Sequence, residues 1–116
     1  MSKDQLFLLR ADFSDARLGD TAFYCPSCAQ IEGLLSFYSR LRQDLDIRYV
    51  DFPKPRAPIV ALIGEDHQSC PVLVLGEAHT AEGARVSTAT GRHFIAGSQA
   101  IAAYLAARYG IGVPHP

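Results

Sequence analysis

The sequence predicts a single α/β domain whose elements follow the order β-α-β-α-β-β-α. Three observations carry that prediction. Short apolar or alternating runs at 5–10, 46–52, 70–76 and 92–96 have the length and composition of strands. Longer stretches beginning near residues 26 and 98 place apolar residues at helical spacing. The chain has 116 residues, room for one core but not a second of similar size.

Gln5-Leu6-Phe7-Leu8-Leu9-Arg10 is a short apolar run of the kind that forms a buried strand, and residues 11–24 follow as an irregular loop. Cys25-Pro26-Ser27-Cys28 then opens a helix in which Ile31, Leu34, Leu35, Tyr38 and Leu41 share one face. Pro26 suits its first turn, where a missing N–H costs nothing, and Arg40 and Arg42 suit its far end. Asp46 to Phe52 alternates as a strand does, and Pro53, Pro55 and Pro58 stop it. Residues 59–66 fit a helix of about two turns. Cys70 to Gly76 is a strand with proline near its start. Residues 76–91, rich in Gly, Ala, Thr and Ser, read as an exposed excursion, and Arg92 to Ala96 as the returning strand. Ser98 is placed to cap a last helix over 100–109, which Gly110 ends.

Hydrophobic residues make up 48% of the chain, charged residues 20%, and the net charge is -1. That balance belongs to a folded globular protein. Without a basic block it gives no surface for nucleic acid or anionic lipid. No run approaches the roughly 20 apolar residues of a membrane helix. The start carries Asp4 and lacks the basic and apolar regions of a signal peptide, so the expected location is the cytoplasm. Disulfides there are mostly catalytic or redox-sensing. With three cysteines, an odd number, a structural disulfide framework does not account for them all.

A strand, Cys-x-x-Cys at the head of a helix, a strand, a pre-strand proline, a β-hairpin and a final helix together resemble the thioredoxin superfamily. Within it the chain is most similar to glutaredoxins and the N-terminal domain of glutathione transferases. Cys25-Pro26-Ser27-Cys28 is similar to the glutaredoxin Cys-Pro-x-Cys, and Cys70-Pro71-Val72-Leu73 matches the family's cis-proline loop. Gly97-Ser98-Gln99-Ala100-Ile101-Ala102-Ala103-Tyr104-Leu105-Ala106 resembles the transferase segment Glu-Ser-x-Ala-Ile-x-x-Tyr-Leu-Ala. These landmarks span residues 5–110. The chain also resembles a small bacterial family of thioredoxin-like proteins of unknown function. The resemblance implies a mixed four-stranded sheet with helices on both faces and a cis bond before Pro71. The sequence departs from the pattern at Gly97, where transferases carry an acid, and at Cys70, where a non-thiol residue is usual. It also lacks the helical second domain of a transferase.

Thiol–disulfide exchange needs a thiolate, and an unperturbed cysteine with a pKa near ~8.5 is mostly protonated at neutral pH. A helix N-terminus favours the anion through its free N–H groups and dipole. Cys25, ahead of the helix, is therefore assigned as nucleophile, and Cys28, one turn in, as the thiol that resolves a mixed disulfide. Arg10, at the end of the first strand, is either an electrostatic helper of that site or a solvated strand end. Cys70 is a core filler, a third redox thiol or a ligand. If Cys25, Cys28 and Cys70 converge, they offer three thiolates to Zn²⁺ or an iron–sulfur cluster, with His67, His79, His93 or another subunit as the fourth ligand. The amides beside Ser98 cap the helix or, as the resemblance suggests, receive a carboxylate such as that of glutathione.

The expected function is a glutaredoxin-like thiol–disulfide oxidoreductase, with Cys25 and Cys28 catalytic and Cys70, Pro71, Ser98 and Arg10 around the substrate. Its partner would be glutathione or a disulfide-bearing protein. A non-catalytic thioredoxin-fold binding module, as a homodimer or a metal carrier, is the alternative. A glutathione-dependent transferase is a third reading, weakened by Gly97 and the missing second domain.

Overall fold

The computed structural model describes residues 2–77 and 79–116; Met1 and Ala78, which fall in the N-terminal run and the 76–91 excursion, lie outside the described residues. The fold is a mixed α/β sheet with helices on both faces. In chain order the elements are β1 (Gln5–Leu9), α1 (Pro26–Phe37), α2 (Leu41–Asp44), β2 (Asp46–Val50), α3 (Ala57–Ile63), β3 (Val72–Val74), β4 (Arg85–Val86), β5 (His93–Ala96) and α4 (Ser98–Tyr109). A 3₁₀ turn lies at Ala16–Leu18. The strands form one sheet in the order β2-β1-β3-β5-β4. β1 runs parallel to β2, with Leu6 beside Ile47, and antiparallel to β3, with Leu6 beside Leu73. β3 and β5 are antiparallel, as are β5 and β4.

Alternation along β1 sorts the core into two layers. Leu6 and Leu8 face a cluster with Ile31 and Leu35 of α1 and Ile101 and Leu105 of α4. Phe7, between them, faces Ile59 and Ile63 of α3 together with Val72, Val74 and Phe94. A strand buried on both faces needs a continuous apolar run rather than an alternating one, and Leu6-Phe7-Leu8 is such a run. Among the described residues, no helix is long and apolar enough to cross a membrane.

The sheet has five strands where the sequence reading counted four. The added strand, Arg85–Val86, is exposed and pairs only at the edge of β5, so no burial marks it in the sequence. The excursion containing it is tied down beyond that pairing. Ser87, 1% exposed, donates to the Ile63 carbonyl at 2.8 Å, and the Thr90 hydroxyl donates to Leu62 O at 2.6 Å. These bonds satisfy carbonyls at the C-terminal end of α3 that the helix itself leaves free.

Two helices differ from expectation. The face running from Ile31 to Leu41 belongs to two elements, because Tyr38 leaves helical geometry at φ -121° while its N–H still bonds Leu34 O. The break lets both Leu41 and Leu45 reach the core, each 2% exposed. The cap of α4 is Gly97 rather than Ser98. Ser98 is the first helical residue, and its hydroxyl donates instead to Gln30 Oε1 on α1 at 2.7 Å. The loop at 11–24 is less irregular than its composition suggests. Phe13 and Phe23 exchange backbone hydrogen bonds, and the Phe13 ring stacks on Phe52 with centroids 4.4 Å apart.

Asp4 is the one carboxylate with no exposed surface among the described residues. It accepts the Gly76 N–H at 2.7 Å, the Tyr109 hydroxyl at 2.8 Å and the Tyr104 hydroxyl. His79 Nδ1 lies 2.5 Å from Asp4 Oδ1, the oxygen that also accepts the Gly76 N–H, while both tyrosines bond Oδ2; His79 Nε2 lies 2.5 Å from Arg108 Nη2. Arginine can only donate, so Nε2 accepts and the Nδ1–H donates to Asp4. Burial pushes the Asp4 carboxyl up, but the Gly76 amide and the Tyr104, His79 and Tyr109 donors outweigh it and hold it below the ordinary value. This cluster fastens the start of β1, the excursion after β3 and the end of α4 to one another.

Candidate active site

Cys25 stands at the cap position of α1 with extended backbone, φ -79° and ψ 114°. Pro26 follows in the first helical turn, where its fixed φ suits the start of a helix and no N–H is wasted. The Cys25 sulfur accepts the backbone N–H of Cys28 at 3.2 Å. Cysteine here plays the capping role more often filled by serine or aspartate. A negative charge on that sulfur would meet the free amides and the positive end of the α1 dipole.

Cys28 lies one turn further and is 4% exposed, inside the layer under α1 and α4. Its sulfur accepts the N–H of Leu9, the last residue of β1, at 3.5 Å. Burial first, and then the hydrogen bond with Cys25, push the Cys28 thiol up to about 12.

Cys70 occupies the loop that leads into β3, and its peptide bond to Pro71 is cis. A second cis bond, Lys54–Pro55, lies in the loop after β2 and was not anticipated. The Cys70 carbonyl oxygen is 3.8 Å from the Cys25 sulfur. Residue 70 therefore sits directly against the head of α1. Its thiol is pushed up to about 11, first by burial; the charge of Arg56 pulls down and the neighbouring Cys25 adds to the rise. All three cysteines are free thiols.

Arg56 is the residue that sequence reasoning missed. It is 7% exposed. Its guanidinium donates to Phe52 O at 2.7 Å and 3.1 Å and to Gln68 O at 2.7 Å, so it laces the proline loop after β2 to the segment before Cys70. Among the described residues no carboxylate forms an ion pair with it; the arginine ion pairs found belong to Arg10, Arg17, Arg40, Arg42 and Arg48. The one available signal was its position amid Pro53, Pro55 and Pro58, where a basic residue reads as solvated loop.

Arg10, the expected helper, pairs instead with Asp51 at 2.8 Å, with both side chains mostly exposed. This is the solvated strand end. The histidines offered as a fourth metal ligand are engaged elsewhere. His79 is held by Asp4 and Arg108, the His67 ring packs on Phe94 with centroids 4.7 Å apart, and His93 lies in β5. Among the described residues no group of three His, Cys, Asp or Glu side chains is arranged to hold a metal ion.

Gly97 departs from the transferase pattern for a structural reason. Its φ of 90° with ψ of 149° is a region open essentially to glycine alone, so an acid there would be strained. What the arrangement can do chemically is thiol exchange: a half-exposed sulfur at a helix start, a buried sulfur behind it, and a third on the facing loop.

The chain matches, over residues 3–113, the model of a family described as protein of unknown function (DUF3088), and it belongs to that family. No curated protein and no solved structure matches it.

Proposed function

We propose that this protein is a thioredoxin-like thiol–disulfide oxidoreductase of glutaredoxin type. The single observation that carries the reading is the placement of Cys25. Its sulfur caps α1, accepts the Cys28 amide at 3.2 Å, and lies 3.8 Å from the Cys70 carbonyl on the loop before β3. The order of β1, α1, β2, α3, β3, β5 and α4 supports the fold reading, with β1 parallel to β2 and the other pairings antiparallel. In that scheme β4 is an added edge.

Cys25 attacks a disulfide, forming a mixed disulfide with one half of the substrate and releasing the other half as a thiolate. A second protein thiol then attacks the Cys25 sulfur, releasing the remaining half and leaving an intramolecular disulfide. Cys28, one turn along α1, and Cys70, on the facing loop, are the two candidates for that step. A low-molecular-weight thiol such as glutathione would restore the dithiol. Tyr24, 64% exposed beside Cys25, gives a polypeptide substrate an aromatic surface to rest on.

The test is reduction of a mixed disulfide between glutathione and a peptide, with glutathione as reductant. Wild-type protein is expected to accelerate the reaction and Cys25→Ser to abolish the acceleration. No acceleration by the wild type on small and protein disulfides alike would dismiss the reading.

A further inference from the structure

The second step of such a reaction needs a thiol that can reach Cys25 and carry negative charge, and the two candidates are unequal. Cys28 is 4% exposed, packed in the core beneath α1 and α4. Its own amide already points at the Cys25 sulfur. Cys70 is half-buried, on the loop facing the head of α1, with its carbonyl oxygen 3.8 Å from the same sulfur. It also has a cation for a neighbour. Arg56 is more than nine-tenths buried, and its guanidinium bonds the Phe52 and Gln68 carbonyl oxygens with no carboxylate to neutralise it among the described residues. A buried charge without a counter-charge is unfavourable, so an anion forming beside it is stabilised. The charge of Arg56 acts on Cys70, and it lowers the cost of ionising that thiol.

We propose that Cys70, on the loop that meets the Cys25 sulfur and that the buried Arg56 braces through the Gln68 carbonyl, is the thiol that resolves the mixed disulfide on Cys25. The inference rests on Cys25 being the nucleophile, as argued above. The Cys70 thiolate attacks the Cys25 sulfur of Cys25–S–S–R, the S–S bond to the substrate breaks, and RS⁻ leaves and takes up a proton. Over both steps one substrate disulfide gains two electrons and becomes two thiols, while Cys25 and Cys70 lose them and form a disulfide. An external low-molecular-weight thiol supplies the two electrons that reopen it. Arg56 is a positioning residue here: it acts on the Cys70 thiol through its charge and a hydrogen bond to it.

The deciding experiment adds oxidised glutathione to Cys28→Ser protein, quenches with acid and maps the disulfides by mass spectrometry. The expected product is an internal Cys25–Cys70 disulfide, and glutathione should stay on Cys25 only when Cys70→Ser is added. A stable glutathione adduct on Cys25 in Cys28→Ser protein, with Cys70 still free, overturns the proposal while leaving Cys25 as nucleophile. No glutathione on any cysteine of the wild type and no internal disulfide overturns both readings. In the Cys28→Ser background, Arg56→Met should slow glutathione release about tenfold near neutral pH, the effect of a one-unit change in thiol acidity. It should also shift the pH profile of release upward, and Arg56→Lys should restore it. A pH profile unmoved by Arg56→Met removes Arg56 from the scheme; if that variant does not fold, the Arg56→Lys profile and the Cys28→Ser mapping still decide.

Discussion

The Cys28 amide donates to the Cys25 sulfur at 3.2 Å, so the first thiol of the motif caps the helix that buries the second. One backbone bond thus gives the two sulfurs opposite environments. Cys25 faces amides and partial solvent, and Cys28 faces leucines. The short Cys-Pro-Ser-Cys spacing enforces that split, because three residues along a helix is nearly one turn.

Alkylation should therefore be ordered. With iodoacetamide near pH 8, Cys25 is expected to react at least about tenfold faster than Cys28, whose thiol is pushed up to about 12 mainly by burial. Timed quenching and peptide mapping would measure this. Equal labelling of the two would show that the helix start opens in solution.

Tyr24 should matter for large substrates only. An exposed aromatic beside a reactive sulfur is the kind of side chain that anchors a partner. Tyr24→Ala is expected to raise KM for a protein disulfide by about threefold to tenfold, with kcat nearly unchanged. The rate on a small disulfide should not move, and parallel assays on the two substrates would separate the effects.

The backbone at Gly97 predicts a cost with no contact to blame. A Cβ there would meet nothing within 4 Å, yet φ is 90° and ψ 149°. Gly97→Ala should lose about 1–3 kcal/mol in urea unfolding, from backbone strain alone. Gly97→Asn should be no milder, because asparagine eases the left-handed helical region and not this one. A milder asparagine variant would mean that the turn into α4 relaxes.

How much of this was legible depended on sequence distance. The helix opened by Pro26, the two-sided burial of Leu6-Phe7-Leu8 and the placement of Cys70 before a strand all follow from local pattern. Arg56 could not be read that way. Its burial depends on the carbonyls of Phe52 and Gln68 closing around it, and Gln68 lies in a separate loop. Asp4 is the extreme case, with partners 72 to 105 residues away. Near the N-terminus it reads as a solubilising charge. The edge strand β4 was hidden for another reason: two exposed residues carry no periodicity.

Asp4 gives the last prediction, and its sign follows from the direction of its shift. The folded chain holds the carboxyl below its ordinary 3.8, so the charged form is favoured by folding. The stability it supplies is fully present above the unfolded value and drains away as pH falls through the folded one. Asp4→Asn replaces one carboxylate oxygen with an NH₂ group that faces donors, leaving at least one tyrosine hydroxyl or the His79 N–H without an acceptor. At pH 7 the variant is expected to lose about 3 kcal/mol, the scale for hydrogen bonds to a buried charged group left unmade. Between pH 5 and 3, by contrast, it should lose less stability than the wild type, since the titrating group is gone. Urea unfolding at pH 7, 5 and 3 would test both halves. Parallel losses with falling pH in the two proteins would show that Asp4 is not the group through which acid loosens the fold.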